Sequence, residues 1–194
     1  MASAKDRRTE ILQASVKIFS KQGFHNAKID DIAHAAGVAK GTVYQYFSSK
    51  QELFQEMIKY TIERYSQIVQ KIVYVYNESN IEEKIYTLAI EHGKFIKEYI
   101  EMAEVTPNHS NGVSKEMRLW IREQQYYILK LLEKMIEDGI IRGEIRKDVD
   151  KEIAVLSILG SIFSYYEKEI RTHIGTSQEI EPKPLVDFLM RALR

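Results

Sequence analysis

Between Ile29 and Lys50 the run IDDIAHAAGVAKGTVYQYFSSK sets a glycine turn between two short helical patterns. In the second pattern Val43 and Phe47 are four apart and face inward, which leaves Gly41, Thr42, Tyr44, Gln45 and Tyr46 along the first turn and the outer surface. A backbone amide or short hydroxyl placed there can reach a phosphate, and the longer side chains can reach base edges. Those residue types at that spacing point to nucleic-acid recognition by a helix-turn-helix.

The neighbouring residues hold this surface in place. Ile29, Ile32, Ala33 and Ala36 form one apolar stripe at helical spacing, while Asp30, Asp31 and His34 point away from it. Two alanines in that stripe let a second helix approach closely. Gly37 falls where the helix must stop in a left-handed residue, and Val38 supplies an apolar plug behind it. Ser49 and Glu52 have capping-box spacing, so a further helix begins just after Phe47, with Lys50 in its first turn. A cation there opposes the helix dipole, a placement that a nearby phosphate would justify. Upstream, Ile11, Ala14, Ser15, Ile18 and Phe19 trace another stripe that Gly23 ends.

The pattern IL.A...IF...G followed by DIA..AGV.KGTVY.YF.SK.ELF resembles the amino-terminal domain of the tetracycline-repressor (TetR) family of bacterial transcription regulators. The resemblance covers roughly the first quarter of the chain. It implies a homodimer whose paired reading helices enter successive major grooves of a near-palindromic double-stranded DNA operator, and a small-molecule effector that binds the carboxy-terminal domain and releases the DNA. Residue by residue, it assigns DNA contacts to Lys40, Gly41, Thr42, Tyr44, Gln45, Tyr46 and Lys50. Tyr44, Tyr46 and Lys50 would meet mainly phosphates, and Lys40 and Gln45 would lie closest to bases. Where the family commonly opens the second helix with a Thr-Thr pair, this chain has Ala27 and Lys28. The usual hydroxyl cap is therefore missing, and Lys28 would replace the phosphate contact by charge. Repression rather than activation rests on the resemblance alone.

Composition agrees with that division of labour. The 194 residues suffice for a small head and a larger body, and we place the head at residues 1–50 and a ligand-binding and dimerisation domain at residues 51–194. Net charge is zero, yet residues 1–50 carry eight Lys and Arg against four Asp and Glu, which leaves the body equally anionic. A cationic head on an anionic body orients on a polyanion. Cysteine is absent, which excludes a disulfide framework or thiolate metal site and fits a reducing cytoplasm. The charged MASAKDRRTE start has no secretory-signal character, and Ala154 to Phe163 is too short to span a bilayer. We expect a cytoplasmic protein with no membrane partner.

Beyond the head, periodicity predicts long helices and no strand: an all-α protein of about nine or ten helices. A stripe through Leu53, Phe54, Met57, Ile58, Thr61, Tyr65, Ile68 and Ile72 makes Gln51 to about Tyr76 one helix, which in the family connects head to body. Further helices are expected near residues 81–104, 114–138 and 150–173, with turns at Thr106–Gly112 and a last short helix after Pro182 and Pro184. Ala154, Ser157, Gly160, Ser161 and Ser164 put small side chains on one face, which serves either packing within a subunit or a dimer contact. Asp148, Asp150 and Glu152 lack the glycine and distant glutamate of a calcium loop and read as helix capping. Aromatic residues are plentiful in the body, and Phe95, Tyr99, Trp120, Gln124, Tyr127 and Tyr165 are candidate effector contacts, although aromatics at helical spacing also build plain cores.

No catalytic residue, metal site or cofactor is indicated. His25, His34, His92, His109 and His173 lack HExxH spacing, and no nucleophile elbow or phosphate loop is present. The alternative reading is a helical dimer that acts through protein partners without DNA, which leaves the outward set of Gly41, Thr42, Tyr44 and Lys50 without a purpose.

Overall fold

The computed structural model describes residues 4–75, 79–105, 113–172 and 180–194, with the side chains at 4–5 and 98–105 left aside. Eight α-helices and one π-helical turn make up the described chain: α1 (Ala4–Asn26), α2 (Ile29–Ala35), α3 (Lys40–Tyr46), α4 (Lys50–Gln70), the π segment Lys71–Val75, α5 (Ile81–Val105), α6 (Lys115–Ile141), α7 (Lys151–Thr172) and α8 (Lys183–Leu193). The class is all-α as expected. Eight described helices is close to the nine or ten expected, and α6 runs past Gly139, which lies inside the helix against the Ile145 side chain.

Two compact units share these helices: Met1–Glu63 with Glu98–Ile121, and Arg64–Lys97 with Arg122–Arg194. In the first, α1 to α3 and the start of α4 close around Ile11, Phe19, Ile32, Val43, Phe47 and Leu53, each at most 1% exposed. Phe19, Phe24 and Phe54 meet with ring centroids 5.0 Å apart in two of their pairs, so α4 is pinned to α1 by aromatic packing. Gly23 is the break foreseen in α1, at φ 70 and ψ 169, although helical hydrogen bonding resumes through Asn26.

Helices α5, α6 and α7 each start where a side chain can cap them. Asn80 and Glu83 form a reciprocal box at α5, with Glu83 N–H donating to Asn80 Oδ1 at 2.9 Å and Asn80 N–H to Glu83 Oε2 at 3.2 Å. Ser114 accepts from Met117 N–H at α6, and Asp150 accepts from Ile153 N–H at 2.9 Å at α7, which is the capping role expected of it. Pro184 sits in the first turn of α8, where its missing N–H costs nothing. The turn expected at Thr106–Gly112, as well as His109 and His173, lies outside the described residues.

The π segment was not anticipated. Lys84, 2% exposed, donates from Nζ to the Val73 carbonyl at 3.1 Å and so satisfies a backbone oxygen at the end of the α4 path.

Candidate nucleic-acid interface and effector site

The turn between α2 and α3 is a Schellman motif. Gly37 takes φ 65, its N–H donates to His34 O at 3.1 Å, and Val38 N–H reaches back to Ala33 O at 2.9 Å. Val38 then packs on the head core, and Ala33 is buried beneath α3. This closure fixes the start of α3 relative to α2. Val43 and Phe47 are each 1% exposed, so the opposite face of α3 turns outward as the spacing required.

On that outer face Tyr44 is 47% exposed, Gln45 and Gly41 are exposed, and Thr42 and Tyr46 are half-buried. Tyr46 leans on Phe47 and packs at the rim of the core. Ala39 gives α3 no side-chain cap. A Cβ on Gly41 would meet nothing within 4 Å, so no contact among the described residues requires glycine there.

The cations are each arranged differently. Lys40 bonds Asp30 Oδ2 at 2.8 Å across the α2–α3 turn, and that carboxylate raises its pKa through the hydrogen bond and its charge. Lys50 is half-buried, with Nζ donating to the His25 carbonyl at 2.9 Å and lying 5.1 Å from the Phe24 ring centroid; burial lowers its pKa. The cation that seemed misplaced at the start of α4 thus caps the end of α1. Lys28 is exposed at the N-cap of α2 and makes no side-chain cap, while Ala27 is 2% exposed in the core. Packing is what the chain has gained where a hydroxyl is usual. The Ser49–Glu52 box forms with a shift: Glu52 N–H donates to Ser49 Oγ at 3.1 Å, but the carboxylate turns back to Ser48 N–H at 2.7 Å rather than to Ser49.

The candidate effector residues do not converge on one described cluster. Phe95 stacks on Tyr65 with centroids 4.8 Å apart and 25° between the rings. Tyr127 is 42% exposed and accepts a 2.7 Å bond from Gln70 Nε2, and Tyr165 Oη donates to the Glu181 carbonyl at 2.8 Å. Gln124 is half-buried in the second unit, Trp120 is half-buried in the first, and the side chain of Tyr99 lies outside the described set. Beside Phe95 lies His92, named from the sequence only as one of five scattered histidines, with its Nδ1 2.6 Å from Tyr65 Oη. The usable signal was the pair His92 and Phe95 three apart on one helical face, opposite a tyrosine in the α4 stripe.

Among the described residues no group of His, Cys, Asp and Glu could hold a metal ion, and no helix is long and apolar enough to cross a membrane.

Comparison with known proteins places this geometry. The model of bacterial regulatory proteins of the tetR family matches residues 11–57, and the tetracyclin repressor-like C-terminal domain matches residues 78–167. The chain is 28% identical over 197 residues to the fatty acid metabolism regulator protein of Bacillus subtilis, covering 100% of this chain and 96% of that protein. It is 23% identical over 152 residues to the transcriptional repressor KstR2 of Mycobacterium tuberculosis, covering 76% of this chain and 73% of that one. Among solved structures, the regulator FadR from Bacillus subtilis in complex with stearoyl-CoA superposes with a TM-score of 0.66 at 23% identity, covering 94% of this chain and 95% of that one. With both its head and its body matched, the chain belongs to the tetR family of bacterial regulatory proteins.

Proposed function

We propose that this regulator is a cytoplasmic repressor that binds a near-palindromic operator as a homodimer and leaves it when a fatty acyl-CoA occupies the body. The observation that carries the DNA-binding half is α3: its inward Val43 and the C-cap Phe47 are 1% exposed, while Gly41, Tyr44 and Gln45 stand in solvent and no neighbour among the described residues requires glycine at 41. Lys28 and Lys40 are exposed as well, and Thr42, Tyr46 and Lys50 are half-buried. Phosphates would draw on Tyr44, Tyr46, Lys28 and Lys50, and bases on Lys40 and Gln45. Lys40 must then exchange Asp30 for DNA, a small loss, since solvent screens an ion pair in which both side chains are exposed.

The acyl-CoA half draws on the relatives, one concerned with fatty acid metabolism and another solved with stearoyl-CoA. The homodimer draws on α7, where Ile153, Leu156 and Phe163 are 64%, 52% and 38% exposed on one face. Of the small residues, Ala154 packs inside the subunit, whereas Ser157, Gly160 and Ser164 lie on the open side. Because α4 belongs partly to each unit, a change in the body has a covalent path to the head. Effector shifts the balance only by its differential affinity for the DNA-competent and DNA-free shapes.

The test is fluorescence polarisation with duplex from the gene's own upstream region, with and without stearoyl-CoA. Binding that falls steeply with salt and is lost on adding stearoyl-CoA is the expected result. Tight binding of a protein partner with no footprint on any upstream duplex would instead favour the partner-dependent reading.

A further inference from the structure

In the second unit two polar groups, one on half-buried His92 of α5 and one on buried Tyr166 of α7, have no hydrogen-bond partner among the described residues. Tyr65 is 5% exposed, and its hydroxyl has one neighbour among the described residues, His92 Nδ1 at 2.6 Å. Leaving a buried phenol's proton idle is costly, so the proton goes to Nδ1 and the ring nitrogen accepts. Burial lowers the His92 pKa to about 4, which leaves the ring neutral near neutrality and its single proton on Nε2. That N–H has no acceptor among the described residues.

Tyr166 supplies the second group. One edge of its ring lies against Gly93, the residue after His92, so closely that a Cβ there would fall 2.1 Å from a ring carbon. The side chain is 6% exposed, burial pushes its hydroxyl up to about 12, and among the described residues the hydroxyl bonds to nothing. Native proteins seldom leave buried donors idle, and those they leave commonly serve a ligand or an ordered water.

We propose that His92 Nε2–H and Tyr166 O–H are the hydrogen-bonding anchors of the effector site, and that they take the thioester carbonyl of an acyl-CoA whose chain lies along Tyr65 and Phe95. This rests on the acyl-CoA reading above and adds the residues that recognise the acyl group. Two neutral donors suit a neutral carbonyl. A free carboxylate would arrive with a full charge, and no Lys or Arg among the described residues bonds to the cluster to offset it. The site therefore prefers the thioester over the free fatty acid.

The experiment titrates stearoyl-CoA and, separately, stearate into the full-length dimer and two variants, read by calorimetry. His92→Asn keeps an acceptor at the Nδ1 position for Tyr65 and removes the Nε2 donor; Tyr166→Phe removes one oxygen and keeps the ring on Gly93. Each variant is expected to bind stearoyl-CoA about tenfold more weakly, the equivalent of one hydrogen bond, and wild type to bind stearate more weakly than stearoyl-CoA. A second readout is the nitrogen-15 resonance of His92 Nε2 in wild type, expected to move on adding stearoyl-CoA and to stay in place with coenzyme A alone. Equal affinity in wild type and both variants, with a stationary resonance, overturns the anchors while leaving the acyl-CoA effector standing. Wild type that binds neither probe overturns both.

Discussion

At the scale of single residues, two glycines of the head separate folding from function. Gly37 holds φ 65 in a Schellman turn with open space where a Cβ would go, so Gly37→Ala costs backbone strain alone, about 1–2 kcal/mol, seen as a lower thermal midpoint. Gly41 is a different case. Its φ is ordinary and its surroundings are empty, so Gly41→Ala should fold at least as stably as wild type, gaining up to about 1 kcal/mol in helix propensity. Its operator affinity should nevertheless fall several-fold, because the added methyl keeps a phosphate from the backbone; unchanged affinity would remove Gly41 from the interface. Lys50 shows where sequence reading stops. A cation at the start of α4 was visible, but its acceptor, the His25 carbonyl, is 25 residues away in the chain and no spacing rule reaches that far. Lys50→Met keeps the stem over Phe24, and if the ammonium also meets a phosphate the salt slope of operator binding should fall by about one unit per half-site.

At the scale of elements, the head was legible because its signals are local. Alternation of buried and exposed residues along α2 and α3, the Gly37 stop and the Ser49–Glu52 spacing all lie within four residues of their partners. The body was legible only as helices, since which aromatic meets which depends on packing between α4, α5 and α7. Tyr65 and His92 are 27 residues apart, and their bond makes a pH prediction. The folded His92 has a pKa of about 4 against 6.5 in the unfolded chain. As pH falls through 6.5 the unfolded state takes up a proton that the folded state refuses. The contribution of neutral His92 is therefore complete above pH 6.5, is lost between 6.5 and about 4, and is constant below, with a ceiling of about 3 kcal/mol. Urea unfolding across that interval should show wild type losing stability more steeply than His92→Asn; parallel curves would mean that His92 titrates freely.

At the scale of the whole molecule, the exposed face of the body argues for a second copy. Ile153, Leu156, Gly160 and Phe163 recur at intervals of three and four along α7, and Phe188 on α8, which packs against α7, is 66% exposed. Burying a Leu or Phe side chain is worth about 1.5–3 kcal/mol, so a lone chain would leave several kcal/mol unrealised on this surface. Gly160 sits in the middle with open space around it, which allows a partner helix to come close. Leu156→Lys should accordingly shift light scattering from dimer to monomer, while circular dichroism stays the same because that side chain is already half in water within one chain. The consequence for DNA is larger than for folding. A dimer binds its second half-site at the effective concentration set by the first, which commonly adds 10²-fold or more, about 3 kcal/mol, without any new contact. The variant should therefore lose about that factor on the full operator and show roughly half the salt slope, yet bind a single half-site as wild type does. A monomer that kept full operator affinity would show that the two reading helices act singly, and the α7 surface would need another partner.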